Sequence, residues 1–167
     1  TRALSSAASD VYKRQVRDDP GVTDEPLTLY LVKRLELAVR ARMDEALRPH
    51  GLTTLQFTAL AALRARDGLS SAQLARRSFV TPQTMHEMVQ WLERHGHISR
   101  RRDPDNRRVL LISLTPSGRE LLERCDPLVE AIEATMLGAV PEVQRALFRQ
   151  NLELCCSALG DEAPGPN

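Results

Sequence analysis

Apolar residues recur at helical spacing in six stretches of this chain, interrupted once by a pair of β-rich runs. In residues 27–48, Leu27, Leu31, Leu35, Ala38 and Arg42 fall on one stripe, and Tyr30, Val32, Leu37, Val39 and Met43 widen it. So broad a face exceeds what one small core can cover, so this helix is expected to meet a second subunit. Pro49-His50-Gly51 stops it. "LTTLQFTALAAL" forms the second helix, capped by Thr53 or Thr54, with Leu55, Ala59, Leu60 and Leu63 spaced for burial. Gly68 ends the connection to a short third helix, "SSAQLARRS", opened by Ser70 or Ser71 with Leu74 and Ala75 facing inward.

Only Ser78-Phe79-Val80 separates that helix from "TPQTMHEMVQWLERHG". Thr81 is an N-cap, Pro82 takes the first helical position, and Gly96 supplies a left-handed stop. Met85, Met88, Val89 and Leu92 make one buried face, which leaves Gln83, Thr84, His86, Glu87, Gln90 and Arg94 largely outside. A short helix, a tight turn and a helix whose outer face begins with Gln and Thr is a helix-turn-helix arrangement. "HISRR" and "RRVLLISL" then predict two strands around the turn "DPDN". Thr115-Pro116 opens a fifth helix to about residue 138, in which Pro127 should produce a kink or a break. The last helix is expected over 141–159, followed by a tail at 160–167.

Composition narrows the function classes. Apolar residues make up 42% of the 167, no run is long enough to span a membrane, and aromatics at 4% argue against a stacking platform for single strands. Three irregularly spaced cysteines suggest a reducing, cytoplasmic setting. No Gly-rich phosphate loop, no Ser/Cys-His pair and no cofactor-binding motif is visible, so neither an enzyme nor a bound cofactor is expected. Residues 1–15 have no period, and "DVYKRQ" resembles a translated sequencing adapter; we set them aside as non-native and disordered, with 16–26 as a linker. Without them the net charge moves from +1 to −1, so a basic function must rest on a local patch.

The hairpin supplies that patch. Arg100, Arg101, Arg102, Arg107 and Arg108 stand against Asp103 and Asp105. A hairpin after a helix-turn-helix is a wing, and arginine at its tip suits phosphates and a narrow minor groove. "SAQLARRSFVTPQTMHEMVQWLERHGHISR" and "RRDPDNRRVLLISLTPSGRELLE", with the Leu-Thr-x-x-Gly stretch at 114–118, resemble the MarR (multiple-antibiotic-resistance regulator) family of transcription factors. In register over 27–159, the resemblance covers about four fifths of the chain. It implies a mostly α fold with a small β-wing: a winged helix at 52–115 between dimerisation helices at 27–48 and 116–159. It also implies a homodimer on a palindrome in double-stranded DNA, usually a repressor released by a small molecule or an oxidant. One departure is Asn106, where the family often has Asp; the brace on Arg108 is expected to be weaker here.

On this reading Thr81, Gln83, Thr84, His86, Gln90 and Arg94 face DNA from the helix, and Arg107 and Arg108 from the wing. The resemblance places an effector pocket where the first, second and fifth helices meet the DNA-binding lobe. Tyr30, Arg34, His50 and Phe57 are the candidate liners, with Arg34 suited to a small anionic aromatic ligand. Cys125, Cys155 and Cys156 lie among leucines and are expected to be buried; an intersubunit disulfide switch is the alternative. His95 and His97 flank Gly96 without carboxylate or thiolate company, so no metal site is expected. Trp91 should pack on the wing or on its own helical neighbour. A winged helix used only for protein contacts is the other alternative, disfavoured by the charge of the wing.

Overall fold

Four of the expected helix starts, at Thr53, Ser70, Thr81 and Thr115, are fixed by hydroxyl caps, and these set the frame of the fold. In this computed structural model, which describes residues 26–159, Thr53 caps a helix through a reciprocal capping box with Gln56. Ser70 does the same with Gln73, and Thr81 caps before Pro82. The elements run α1 (Thr28–Leu47), a 3₁₀ turn (Arg48–His50), α2 (Thr54–Ala65), β1 (Leu69–Ser70), α3 (Ser71–Arg77), α4 (Pro82–Arg94), β2 (Ile98–Arg102), β3 (Leu110–Leu114), α5 (Pro116–Gly138) and α6 (Glu142–Ala158). This is the mostly helical fold with a small β-wing that the resemblance implied. The adapter-like segment 1–15, nearly all of the linker and the tail at 160–167 lie outside the described residues.

The chain divides into two compact units, one up to Ala38 and one from Val39 onward. In the first, Leu27, Leu29, Leu31, Val32, Leu35 and Leu37 are all exposed, and Arg34 lies over the Tyr30 ring at 5.7 Å from its centroid. The second holds a core of Leu47, Phe57, Leu60, Leu63, Leu69, Leu74, Met85, Leu92, Ile98, Ile112, Leu122 and Cys125, among others. Its sheet is antiparallel with the order β1-β3-β2. Leu69 pairs with Ile112, and Ile98 with Leu114.

Several expectations are corrected. β1 was not foreseen, and β3 begins at Leu110, so Arg107 and Arg108 lie in a turn instead of a strand. Two side chains take over the backbone there: Asp103 Oδ1 accepts from the Asp105 N–H at 2.9 Å, and Asn106 Oδ1 accepts from the Arg108 N–H at 3.2 Å. Asn106 therefore holds the backbone of Arg108 and not its guanidinium. Pro127 does not break α5, which runs unbroken to Gly138. The carbonyl deprived of a donor belongs to exposed Glu123, while buried Leu121, Leu122 and Cys125 anchor the same stretch. Burial of all three cysteines also fails. Cys125 is buried, but Cys155 and Cys156 are exposed, because every residue from 151 to 158 on α6 is exposed.

α3 ends in a Schellman turn: the Val80 N–H donates to the Ala75 carbonyl at 3.1 Å and the Phe79 N–H to the Arg76 carbonyl at 3.2 Å. The left-handed position that glycine usually takes is held by Phe79, at φ 55°. A bulky L-residue there costs about 1–2 kcal/mol.

Candidate nucleic-acid interface

α4 is the element from which the site is built. Met85, Met88, Val89 and Leu92 anchor one side of it in the core. Gln83, His86, Glu87, Gln90 and Arg94 then fall on the opposite, exposed side. Their long polar ends pair along the helix: Gln83 Nε2 donates to Glu87 Oε1 at 2.9 Å, and Gln90 Nε2 stands 2.9 Å from His86 Nε2. The second contact requires an unprotonated Nε2 accepting from the amide. Such exposed bonds are worth little net and exchange readily for bonds to another polar surface.

Thr81 and Thr84 behave differently. The Thr81 hydroxyl accepts from the Thr84 N–H at 3.0 Å and donates to the Thr84 hydroxyl at 2.9 Å, so both are occupied in starting the helix. Glu87, left outside the candidate set, stands in the middle of the stripe. A carboxylate facing DNA reads as a repulsion in sequence, yet it is the acceptor that fits the amino group of cytosine.

The wing is fastened to the far end of the same helix. Arg100 is hydrogen-bonded to Glu93, and this bond holds the Glu93 carboxyl below its ordinary range. Arg100, counted above in the wing's charge, is thus a brace between β2 and α4. Arg101 lines a groove of about 580 Å³ beside Ser70, Gln73 and Asp103. Arg107 and Arg108 are exposed at the tip.

Aromatic rings close the junction. Trp91 stacks on His95 at 3.8 Å between centroids, and the His95 ring Nδ1 lies 2.8 Å from the Trp91 carbonyl. Trp91 thus packs on its own helical neighbour. Burial, with repulsion from His95 and Arg124, pushes the His97 imidazole below its usual range, and its Nδ1 is buried without a partner. Among the described residues no group of three or more His, Cys, Asp or Glu could hold a metal ion, and no helix is long and apolar enough to cross a membrane.

The four candidate effector residues are divided between the two units. His50 ends the 3₁₀ turn, and Phe57, only 7% exposed, belongs to the core. Tyr30 and Arg34 belong to the first unit, where they contact each other. A groove of about 330 Å³ in the second unit is lined instead by Arg40, Asp44, Arg48, Leu52, Thr53, Thr54 and Leu55. Within it Asp44 Oδ1 accepts from the Thr54 hydroxyl at 2.6 Å and its N–H at 3.0 Å, which lowers the Asp44 carboxyl.

Comparison with known proteins places this arrangement. The sequence profile described as the MarR family matches residues 50–109. The HTH-type transcriptional repressor Rv2887 of Mycobacterium tuberculosis is 36% identical over 133 residues, covering 80% of this chain and 96% of the relative. Its crystal structure in complex with DNA superimposes with a TM-score of 0.66 at 34% identity, over 78% of this chain and 98% of that one. Its complex with salicylic acid gives a TM-score of 0.66 at 36% identity, over 79% and 98%.

Proposed function

Since the chain belongs to the MarR family of winged helix-turn-helix transcription regulators, we propose that it is a repressor that binds a palindromic operator as a homodimer and is released by a small ligand. At the level of the family it is a DNA-binding regulator and not an enzyme. The observation that carries the finer reading is the exposed stripe on α4 beside an arginine-tipped wing.

Gln83, His86, Gln90 and Arg94 meet base edges and phosphates in the major groove. Thr81 and Thr84 shape the end of the helix that enters it. Arg107 and Arg108 reach the flanking backbone or minor groove. One such helix reads half a site, so two copies suit half-sites one helical turn apart. The test is binding to an operator obtained by selection from random duplexes. Gln83→Ala should relax base preference, since a bidentate Gln–adenine pair is worth about 1–3 kcal/mol of discrimination. Arg107→Ala should weaken binding and lower the salt slope by about 1. An Arg107 variant with parental affinity and salt dependence removes the wing from the mechanism.

For the effector, we assign a small anionic aromatic, as the salicylic acid complex of the M. tuberculosis relative suggests. Arg40 and Arg48 of the 330 Å³ groove are the cations that suit its carboxylate. A ligand shifts the equilibrium only by its preference for the DNA-incompetent state, typically about 1–3 kcal/mol. The exposure of Cys155 and Cys156 favours a second reading, release by thiol oxidation. Peroxide release of the parent but not of a Cys155→Ser/Cys156→Ser variant would establish it. Retention of both on DNA under peroxide leaves the ligand reading standing.

A further inference from the structure

The turn between α3 and α4 places one side chain where its own fold has no use for it. Val80 turns inward and packs on the core, while the Phe79 ring, one residue earlier, is 68% exposed and is not among the residues packed there. Its backbone is left-handed, the conformation glycine adopts freely and a β-carbon resists. The fold therefore bears a strained backbone and an exposed aromatic with no packing in return. Strain of this kind points to a contact outside the chain.

Position in the chain says which contact. Phe79 stands two residues before the cap of α4, with Pro82 and Gln83 exposed after it. Arg76 and Arg77, exposed in the last turn of α3, precede it. The exposed ring thus stands in the turn that leads into the outer stripe of α4, directly after two exposed cations suited to phosphates.

We propose that Phe79 is a specificity-determining residue whose ring packs on the 5-methyl group of a thymine in the major groove, next to the bases read by α4. A benzene ring offers no hydrogen bond, and the thymine methyl is the apolar group that base edges present in that groove. The inference rests on α4 entering the major groove.

The experiment couples protein to base. Phe79→Gly suits the left-handed turn, and Phe79→Asn, also tolerant of it, is the second variant. Thermal unfolding is measured for each. Affinity is then measured for the parent and both variants on the selected operator and on a series with single thymines replaced by uracil, which lacks only the methyl. Both variants are expected to melt no lower than the parent and to bind the thymine operator about tenfold more weakly. Uracil at one position of each half-site should cost the parent a similar factor and the variants nothing. Parental affinity in the variants overturns the proposal. So does a loss that no uracil position matches, because the ring would then touch sugar or phosphate, and so does a lower melting temperature in both variants. Failure of the parent to enrich any duplex removes the operator reading and this inference together; enrichment without coupling removes this inference alone.

Discussion

A Cβ placed on Gly118 would stand 2.1 Å from the His97 carbonyl oxygen, which is backbone and cannot swing aside. The same few atoms explain the whole Leu-Thr-x-x-Gly stretch. Leu114 is buried, and the Thr115 hydroxyl donates to the Gly96 carbonyl at 2.6 Å and accepts from the Gly118 N–H at 3.1 Å. The Thr115 N–H meets the His97 carbonyl at 3.1 Å. The first turn of α5 is thus pressed onto the loop that leaves α4. Gly118→Ala should cost about 3 kcal/mol, the upper part of the usual range for overpacking, and lower the melting temperature by about 10 °C. Gly138→Ala, whose added Cβ meets nothing within 4 Å, is the control and should leave the melting temperature unchanged or slightly higher. Equal effects of the two substitutions would show that this close approach does not govern stability.

At the scale of elements, legibility followed the length and punctuation of each segment. α4 was readable because cap, first-turn proline, apolar spacing and stop glycine all agree on Thr81 to Gly96. β1 was not, because two residues carry no alternation; Leu69 joins the sheet through its pairing with Ile112, far along the chain. The start of β3 was misplaced because Arg107 to Val109 have strand-like neighbours, while the Asp103 and Asn106 turns that hold them out are local side-chain bonds. Partners were the hardest to foresee. Nothing in "LERHGHISR" announces that Glu93 would take Arg100, whereas Trp91, expected on the wing or on its own helical neighbour, does stack on His95. The outer stripe of α4 was visible as a list of residues, but its internal pairing and the exposure of Phe79 depend on three-dimensional packing.

On the scale of the whole molecule, the unexplained quantity is apolar surface. Leu27, Leu29, Leu31, Leu35 and Leu37 in the first unit, and Leu147, Leu152, Leu154 and Leu159 in the second, are each more than a third exposed. Fully burying a leucine is worth about 1.5–3 kcal/mol, so half-burying these on two chains yields on the order of 15–25 kcal/mol. That exceeds the approximate 4–15 kcal/mol lost in freedom on association. Light scattering at micromolar concentration should therefore give about twice the 18.7 kDa chain mass. Because the driving force is apolar, the mass should persist in high salt, which screens only exposed charges. It should also persist in the Cys155→Ser/Cys156→Ser variant under reducing conditions, since no disulfide is needed. Leu147→Glu with Leu154→Glu, which places charges on the exposed side of α6, should shift the mass toward that of one chain. A parent protein of single-chain mass at this concentration would overturn the dimer. It would then fall to one α4 and one wing alone to read the operator.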